Sequence, residues 1–238
     1  MLDSNILIKD KCNESDYKKY LEYLKSLGSK NLIDFNSKII FTKQEIIGIK
    51  TPVLRNIAKI IAKGDIESFL LNVGNRYFEE CLIEGFVIGF IKDKEVFLEF
   101  FNKFIKKVDN WATCDMCVSS FKIMKKYDFY DMAKDLSLKS DEFISRLGII
   151  IMLDYYLDDR YIDDVLSTML KIKSDYYYVN MAISWLISVA FVKFRSNTLS
   201  LLKSRKLSLF VQNKAIQKIR DSYRVSRDDK DMLIEYKM

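Results

Sequence analysis

The stretch Asn110-Trp-Ala-Thr-Cys-Asp115 is the one from which the fold can be read, because it holds one of only two tryptophans in the chain. Arg146 follows Trp111 after 35 residues, and Trp185 follows Arg146 after 39 residues. These intervals are close to the roughly 40–47-residue period of stacked helical pairs. Equivalent positions of successive repeats line one concave face of such a stack, so we expect Trp111, Asp115, Arg146 and Trp185 to share a surface.

The rest of the chain predicts further helices joined by short connections. A helix over residues 13–27 ends before Gly28, another has Thr51 as its N-cap and Pro52 as its first residue, and a third runs over residues 111–127. The residues expected to cap helices include Asp65, Asn110, Ser208 and Ser226. No segment alternates apolar and polar residues as a half-buried strand would. We therefore predict an all-α fold: a right-handed α-solenoid of about a dozen helices, forming a single domain over residues 1–238.

The amino-acid composition limits the classes of protein to which the chain can belong. Apolar residues make up 49% of the 238 residues and charged residues 30%, which is ordinary for a globular protein in water. No run approaches the roughly 18 apolar residues that a membrane span needs, so we expect no membrane partner. The segment Met1–Lys9 lacks the basic and apolar regions of a signal peptide, and we expect a cytoplasmic protein.

The lack of histidine and the small number of glycines exclude several classes of catalytic and binding site. The chain has no histidine, so Ser-His and Cys-His nucleophiles, imidazole acid–base catalysis and His-ligated zinc are excluded. Seven glycines and one proline leave no Gly-rich phosphate loop. Cys114 and Cys117 form a CxxC without a second pair, and we interpret them as core residues of a helix rather than a redox or zinc site. We expect neither a metal nor another cofactor.

Positive charge is concentrated at the C-terminal end. Residues 193–238 contain twelve Lys and Arg against five Asp and Glu, a net charge of +7, whereas the whole chain carries +6. Lys214, Lys218 and either Arg220 or Arg224 recur at near-helical spacing. A basic stripe of this kind is typical of a surface that binds a polyanion, although a solvated helix face gives the same pattern.

Trp111 and Asp115 are i and i+4 on one predicted helix, so their side chains share a face. An indole face attracts a cation within about 6 Å of the ring, and a neighbouring carboxylate adds to that attraction. Alkylated purines are flat cations, and breaking their N-glycosidic bond develops positive charge on the sugar, which a fixed carboxylate would stabilise. Purely structural roles remain open: both rings fit a core pattern, and Arg146 fits a salt bridge to Asp115 or Asp154.

At these residues the chain resembles the HEAT-repeat DNA alkylation repair family, the alkylpurine DNA glycosylases of the AlkD type. Six segments carry the resemblance in order: Gly48-Ile-Lys-Thr-Pro-Val-Leu-Arg55, Phe78-Glu-Glu80, Trp111-x-x-x-Asp115, Arg146 at the start of an aliphatic helix, Ala182-Ile-Ser-Trp185, and Lys214-Ala-Ile-Gln-Lys218-Ile. The chain departs from the family after Trp185, where Leu186-Ile-Ser-Val189 replaces a basic run.

The resemblance implies a HEAT-like repeat domain over residues 1–238 and a hydrolase of base excision repair, a DNA-3-methyladenine/7-methylguanine-type glycosylase. Asp115 would be the catalytic carboxylate, with Trp111, Trp185 and Arg146 at the lesion. The residues expected at the DNA backbone are Lys214, Lys218, Arg220 and Arg224. The partner would be double-stranded DNA containing alkylated purines, bound by a monomer. The alternatives are a non-catalytic HEAT-repeat protein that binds damaged or distorted DNA and a protein-binding scaffold.

Overall fold

The computed structural model describes residues 11–238, and within this range the protein is all-α, as predicted. The helices are α1 (Glu14–Ser26), α2 (Lys30–Ile39), α3 (Thr51–Ile61), α4 (Ile66–Asn72), α5 (Phe78–Ile88), α6 (Lys94–Phe104), α7 (Trp111–Val118), α8 (Tyr130–Ser137), α9 (Glu142–Tyr155), α10 (Ile162–Lys171), α11 (Tyr177–Lys193), α12 (Arg195–Ser204), α13 (Leu209–Asp221) and α14 (Arg227–Met232). Short 3-10 segments cover Ile105–Lys107, Lys122–Lys125 and Leu233–Tyr236. An isolated bridge between Glu45 and Tyr77 is the β-type pairing found among the described residues.

The chain divides into two compact units, one ending at Asp128 and the other covering Phe129–Met238. Unit 1 holds α1 to α7, and unit 2 holds α8 to α14. The single-domain boundary of 1–238 and the right-handed course of the solenoid stay predictions. The interpretation of Met1–Lys9 as unlike a signal peptide concerns residues that lie outside the described range. Within residues 11–238 no helix is long and apolar enough to cross a bilayer.

In unit 1, alternate helices pack in chain order: α3 contacts α5, and α5 contacts α7. All eleven residues of α5 are buried, so this helix forms the centre of the unit. Gly85 permits the close approach of α5 and α7, because a Cβ atom added there would lie 2.4 Å from the Sγ atom of Cys117. Cys114 and Cys117 are buried and form no disulfide, which confirms their interpretation as core residues.

The connection that leads into α3 is fixed by a buried carboxylate. Glu79, on α5, accepts hydrogen bonds from the backbone N–H groups of Ile47 at 2.9 Å, Gly48 at 2.7 Å and Ile49 at 3.3 Å. Gly48 has φ +84°, a left-handed conformation that favours glycine. Glu79, from the segment Phe78-Glu-Glu80, therefore fixes the backbone at Gly48, the first residue of the segment that leads into α3. This contact determines where α3 begins.

Two sequence-based helix boundaries in unit 1 were wrong. The predicted helix over 111–127 ends as α7 at Val118, because the chain turns so that the ring of Phe121 enters the core. There the Phe121 centroid lies 5.6 Å from those of Phe97 and Phe101. Thr51 is the first residue of α3 and makes no cap, since Lys50 occupies the N-cap position. The caps by Asp65, Asn110, Ser208 and Ser226 are confirmed.

Unit 2 repeats the arrangement of unit 1. Helix α9 contacts α11, and α11 contacts α13, while α8 and α12 pack against α9 and α11 respectively. The aliphatic run from Gly148 to Leu153 lies in the buried part of α9. This succession of alternate helices is the packing of helical repeats, and it places the exposed face of α11 beside that of α13.

Candidate functional site

Trp111 begins α7, and two hydrogen bonds fix its position. The Oδ1 atom of Asn110 accepts the backbone N–H of Thr113 at 2.9 Å and so caps the helix. The indole Nε1 of Trp111 donates to the carbonyl oxygen of Ile39 at 2.9 Å. The ring is partly exposed rather than buried in the core. An indole held at its edge in this way presents a ring face in a fixed orientation.

The segment before Trp111 is joined to the connection between α2 and α3. The carboxylate of Asp109 accepts hydrogen bonds from the hydroxyl of Thr42 and from the backbone N–H of Lys43, both at 2.7 Å. Two residues earlier, Lys107 pairs with Glu84 of α5 at 2.8 Å. Burial raises the pKa of Glu84 to about 7, although the Lys107 ammonium opposes this shift. The start of α7 is therefore tied to two other parts of unit 1.

Asp115 lies one helical turn after Trp111, so the two side chains share a face of α7. Asp115 is partly exposed, as Trp111 is. Cys114 and Cys117, on the same helix, are buried and belong to the core. No group of three metal-ligating side chains is found among residues 11–238. An indole and a carboxylate that share one face of a helix can together attract a flat cation.

The opposite end of α7 is held by Arg55 of α3. Its guanidinium donates to the carbonyl oxygen of Met116 at 3.0 Å and to the hydroxyls of Ser119 at 3.3 Å and Ser120 at 2.9 Å. It also lies over the ring of Phe86, 4.2 Å from the centroid. The last carbonyls of a helix lack partners within the helix, so a guanidinium there stabilises its end. Arg55 thus positions the helix that carries Trp111 and Asp115.

In unit 2, Trp185 lies at a cavity between α11 and the C-terminal end of α13. The cavity has a volume of about 380 Å³. It is lined by Trp185, Ser188, Val189, Val192, Lys193, Lys218, Asp221, Ser222 and Arg224. Three of these side chains are cationic and one is anionic, so the cavity has a net positive lining. It suits an anionic group next to an apolar or aromatic one.

Lys218 is a half-buried cation of this cavity. Burial lowers its pKa, and the positive charges of Lys214 and Arg146 lower it further. Asp221 acts in the opposite direction. A partly desolvated ammonium near two other cations is electrostatically favourable for a phosphate, which relieves the repulsion among them.

Arg146 is buried, with 5% of its surface exposed. Its Nη1 atom donates to the carbonyl oxygen of Tyr178 at 2.7 Å, which joins α9 to the first turn of α11. The expectation of Arg146 at the lesion or the DNA backbone stays a prediction. Burial limits the part of the guanidinium that a ligand can reach.

The four predicted backbone contacts do not lie on one stripe. Lys214 and Lys218 are one turn apart on α13, and Arg224 follows the helix and lines the cavity with Lys218. Arg220 is two residues after Lys218, roughly 200° around the helix. Its Nε atom is buried without a hydrogen-bond partner in the described structure. The structure therefore groups Lys218 with Arg224, near Lys214, and separates Arg220 from them.

Two residues that sequence reasoning did not select also contribute. Lys193 lines the Trp185 cavity and supplies positive charge near Leu186–Val189, where the chain lacks the family's basic run. The spacing of eight residues between Trp185 and Lys193 could have predicted that both line one cavity, because residues i and i+8 lie near one face of a helix. Arg55 was noted only as part of a motif, and its contacts join residues more than 60 positions apart.

A family model described as DNA alkylation repair enzyme matches residues 19–192. This range includes α7 with Trp111 and Asp115, and all of α11 except its last residue, Lys193. It ends before α13, so the basic residues of that helix lie beyond it. Comparison with curated proteins and with solved structures gives no significant match.

Proposed function

Because the chain belongs to the DNA alkylation repair enzyme family, which makes DNA its partner, we propose that it is a DNA glycosylase for cationic alkylpurines. The substrate class is double-stranded DNA with purines alkylated at N3 or N7. The reaction is hydrolysis of the N-glycosidic bond, which releases the alkylated base and leaves an abasic sugar. The protein acts as a monomer without a cofactor.

The observation that carries this proposal is the shared face of Trp111 and Asp115 on α7. The indole, fixed by its hydrogen bond to Ile39, offers a flat surface to the cationic base. As the bond from the base to C1′ breaks, positive charge moves from the base to the sugar. A carboxylate fixed nearby stabilises that charge and orients the attacking water. The base leaves as a neutral purine, so its departure needs no general acid.

The Trp185 cavity supports the DNA partner. Lys193, Lys218 and Arg224 give it positive charge next to an aromatic ring, a combination that suits a phosphate and the sugar or base attached to it. Arg146, through Tyr178, positions the first turn of α11, the helix that carries Trp185. Binding through such groups is steeply salt-dependent, because neutralised phosphates release their counterions.

A second candidate function is a non-catalytic protein that binds damaged duplex. It is favoured by the uncharged sequence Leu186–Val189 after Trp185, where the family carries a basic run. The two candidates differ in a single observable. We expect the purified protein to release free 7-methylguanine or 3-methyladenine from methylated duplex, detected by mass spectrometry. Salt-dependent binding without any released base would favour the second candidate.

A further inference from the structure

Unit 2 carries a row of aromatic rings at the N-terminal ends of three consecutive alternate helices. Phe143 of α9 lies 5.8 Å, centroid to centroid, from Tyr178 of α11. Tyr178 lies 5.3 Å from Tyr177, and Tyr177 lies 6.0 Å from Phe210 of α13. We call these four residues the aromatic row. They form a chain of ring contacts across one end of the unit.

The outer half of the row is open to solvent. Tyr177 is 56% exposed and Phe210 is 40% exposed, although large aromatic side chains usually bury most of their surface. Their neighbours Tyr176 and Leu209 are also exposed, at 50% and 58%. Exposed apolar surface concentrated in one place marks an interaction site.

The row continues into the positively charged face of α13. Phe210, Lys214 and Lys218 are spaced four residues apart, so they lie along one face of this helix. Tyr177 and Trp185 are eight residues apart on α11. Since Tyr177 contacts Phe210 and Trp185 lines one cavity with Lys218, the two faces run side by side. At 1.5 Å per residue, the row and the Trp185 cavity are roughly 12 Å apart along the helices.

The charges near the row favour bases over phosphates as its ligand. The Oε1 atom of Glu142 accepts the backbone N–H of Tyr178 at 3.1 Å, which brings a carboxylate close to the inner rings. Asp141 and Asp175 add acidic side chains near the same helix ends. The guanidinium of Arg146 lies at the carbonyl oxygen of Tyr178, so a phosphate would meet charges of both signs at the inner rings, whereas a neutral base is repelled by neither. Lys214, one turn further along, is placed to contact the phosphate of a strand whose base stacks on the row.

We propose that the aromatic row stacks unpaired nucleobases of the DNA strand that enters the Trp185 cavity. The proposal rests on the proposed function, since it takes DNA as the occupant of that cavity. Base–aromatic stacking is tolerant of sequence and contributes strongly to binding of single strands. A separation of roughly 12 Å corresponds to about three or four stacked nucleotides. Because the family resemblance implies that Trp185 contacts the lesion, the protein would prefer a lesion that lies close to a single-stranded segment.

The test compares the affinities of three DNA ligands measured by fluorescence anisotropy. Each ligand contains one methylated purine, and the first is a continuous duplex. The second, with the near extension, has a single-stranded extension that begins about four nucleotides from the lesion. In the third, the extension begins about ten nucleotides further away. We expect the near extension to be bound about tenfold more tightly than the other two ligands. Equal affinity for all three would overturn the proposal.

Variants of the row separate stacking from general apolar contact. Tyr177→Leu and Phe210→Leu are expected to abolish the preference for the near extension, while Tyr177→Phe keeps it. Leu209→Ala is the matched control, because it removes exposed apolar surface next to Phe210 without removing a ring. If Leu209→Ala abolished the preference as well, apolar contact rather than stacking would explain it. If the Leu variants altered self-association in sedimentation but left DNA affinities unchanged, a second copy of the chain would be the occupant.

Base release is measured separately on the continuous duplex. If the wild type showed no preference for the near extension but released the base normally, only the role of the aromatic row would be contradicted. A retained preference without any base release would contradict the glycosylase proposal and leave the row as a binding surface of a non-catalytic protein.

Discussion

The indole Nε1 of Trp111 donates a hydrogen bond to the carbonyl oxygen of Ile39 at 2.9 Å, so the first residue of α7 is joined to the last residue of α2. Asp109 reinforces this connection through Thr42 and the backbone of Lys43. The ring therefore has one edge hydrogen-bonded to the protein, while the residue as a whole stays partly exposed. This geometry suits an indole that must hold a flat ligand rather than fill the core.

Replacing Trp111 with Phe tests the hydrogen bond to Ile39. The Trp111→Phe variant keeps an aromatic ring but loses the N–H donor, and we expect it to lower the free energy of unfolding by about 1 kcal/mol. Urea denaturation measures this change. Trp185→Phe is the control, because no hydrogen bond from its indole is found among the residues described. A loss confined to Trp185→Phe would contradict a role for the Ile39 contact.

Arg55 is expected to act on the site through the end of α7. In Arg55→Ala the Met116 carbonyl and two serine hydroxyls lose their donor, which should cost roughly 1–2 kcal/mol of stability and slow base release. Lys59, one turn later on α3 and exposed, provides the matched control. Lys59→Ala should change stability by less than about 0.5 kcal/mol. Equal effects of the two variants on stability and base release would contradict a positioning role for Arg55.

The charge of Lys218 should appear in the salt dependence of DNA binding. If Lys218 neutralises one phosphate, Lys218→Gln makes the slope of log K against log salt concentration less negative by about 1. Arg227→Gln is a control of equal charge change, since its side chain is 94% exposed and lies outside the cavity lining. Titrations at several salt concentrations measure both slopes. The same slope for both variants would show that Lys218 contributes only through net charge.

The raised pKa of Glu84 predicts how the stability of the protein depends on pH. Burial raises its pKa from 4.5 to about 7, so between these values the folded protein binds more protons at this group than the unfolded chain does. The contribution of Glu84 to the free energy of unfolding is therefore present below pH 4.5 and is lost as pH rises through about 7. Glu84→Gln removes this dependence.

The measurement is the difference in free energy of unfolding between wild type and Glu84→Gln across this pH range. We expect the difference to shift against the wild type by at most about 3 kcal/mol as pH rises. A difference that stayed constant, or shifted in favour of the wild type, would show that the pair with Lys107 outweighs the burial of the carboxyl.

Local sequence signals predicted the helix starts well. Asn110 and Ser208 cap helices because their side-chain oxygens reach a backbone N–H three residues ahead, an interaction encoded within four positions. The shared face of Trp111 and Asp115 was predictable for the same reason, since it follows from a spacing of four residues. Helix α2 was missed: Ser29 makes no side-chain cap, and none of the residues of α2 is buried.

Features set by tertiary contacts were not predictable from local patterns. The end of α7 depends on Phe121 entering an aromatic cluster built by α6, and the ring of Trp111 is held by a carbonyl 72 positions away. Arg146 was expected on the shared surface of the helical stack, and its burial and its hydrogen bond to the carbonyl oxygen of Tyr178 depend on a contact 32 positions away. Arg220 was one of two arginines expected to continue the basic stripe of Lys214 and Lys218, but it lies on a different face of α13 from Lys218.

Single-turnover base release by Asp115→Asn tests the central claim most directly. This variant keeps the size and hydrogen-bonding capacity of the side chain but removes its negative charge. We predict that the rate of release of 7-methylguanine or 3-methyladenine falls by at least about 100-fold, the scale for losing one fixed electrostatic group, while affinity for methylated duplex is retained. Asp131→Asn, an exposed substitution on α8, should leave the rate unchanged. Equal rates of release by wild type and Asp115→Asn would contradict the account.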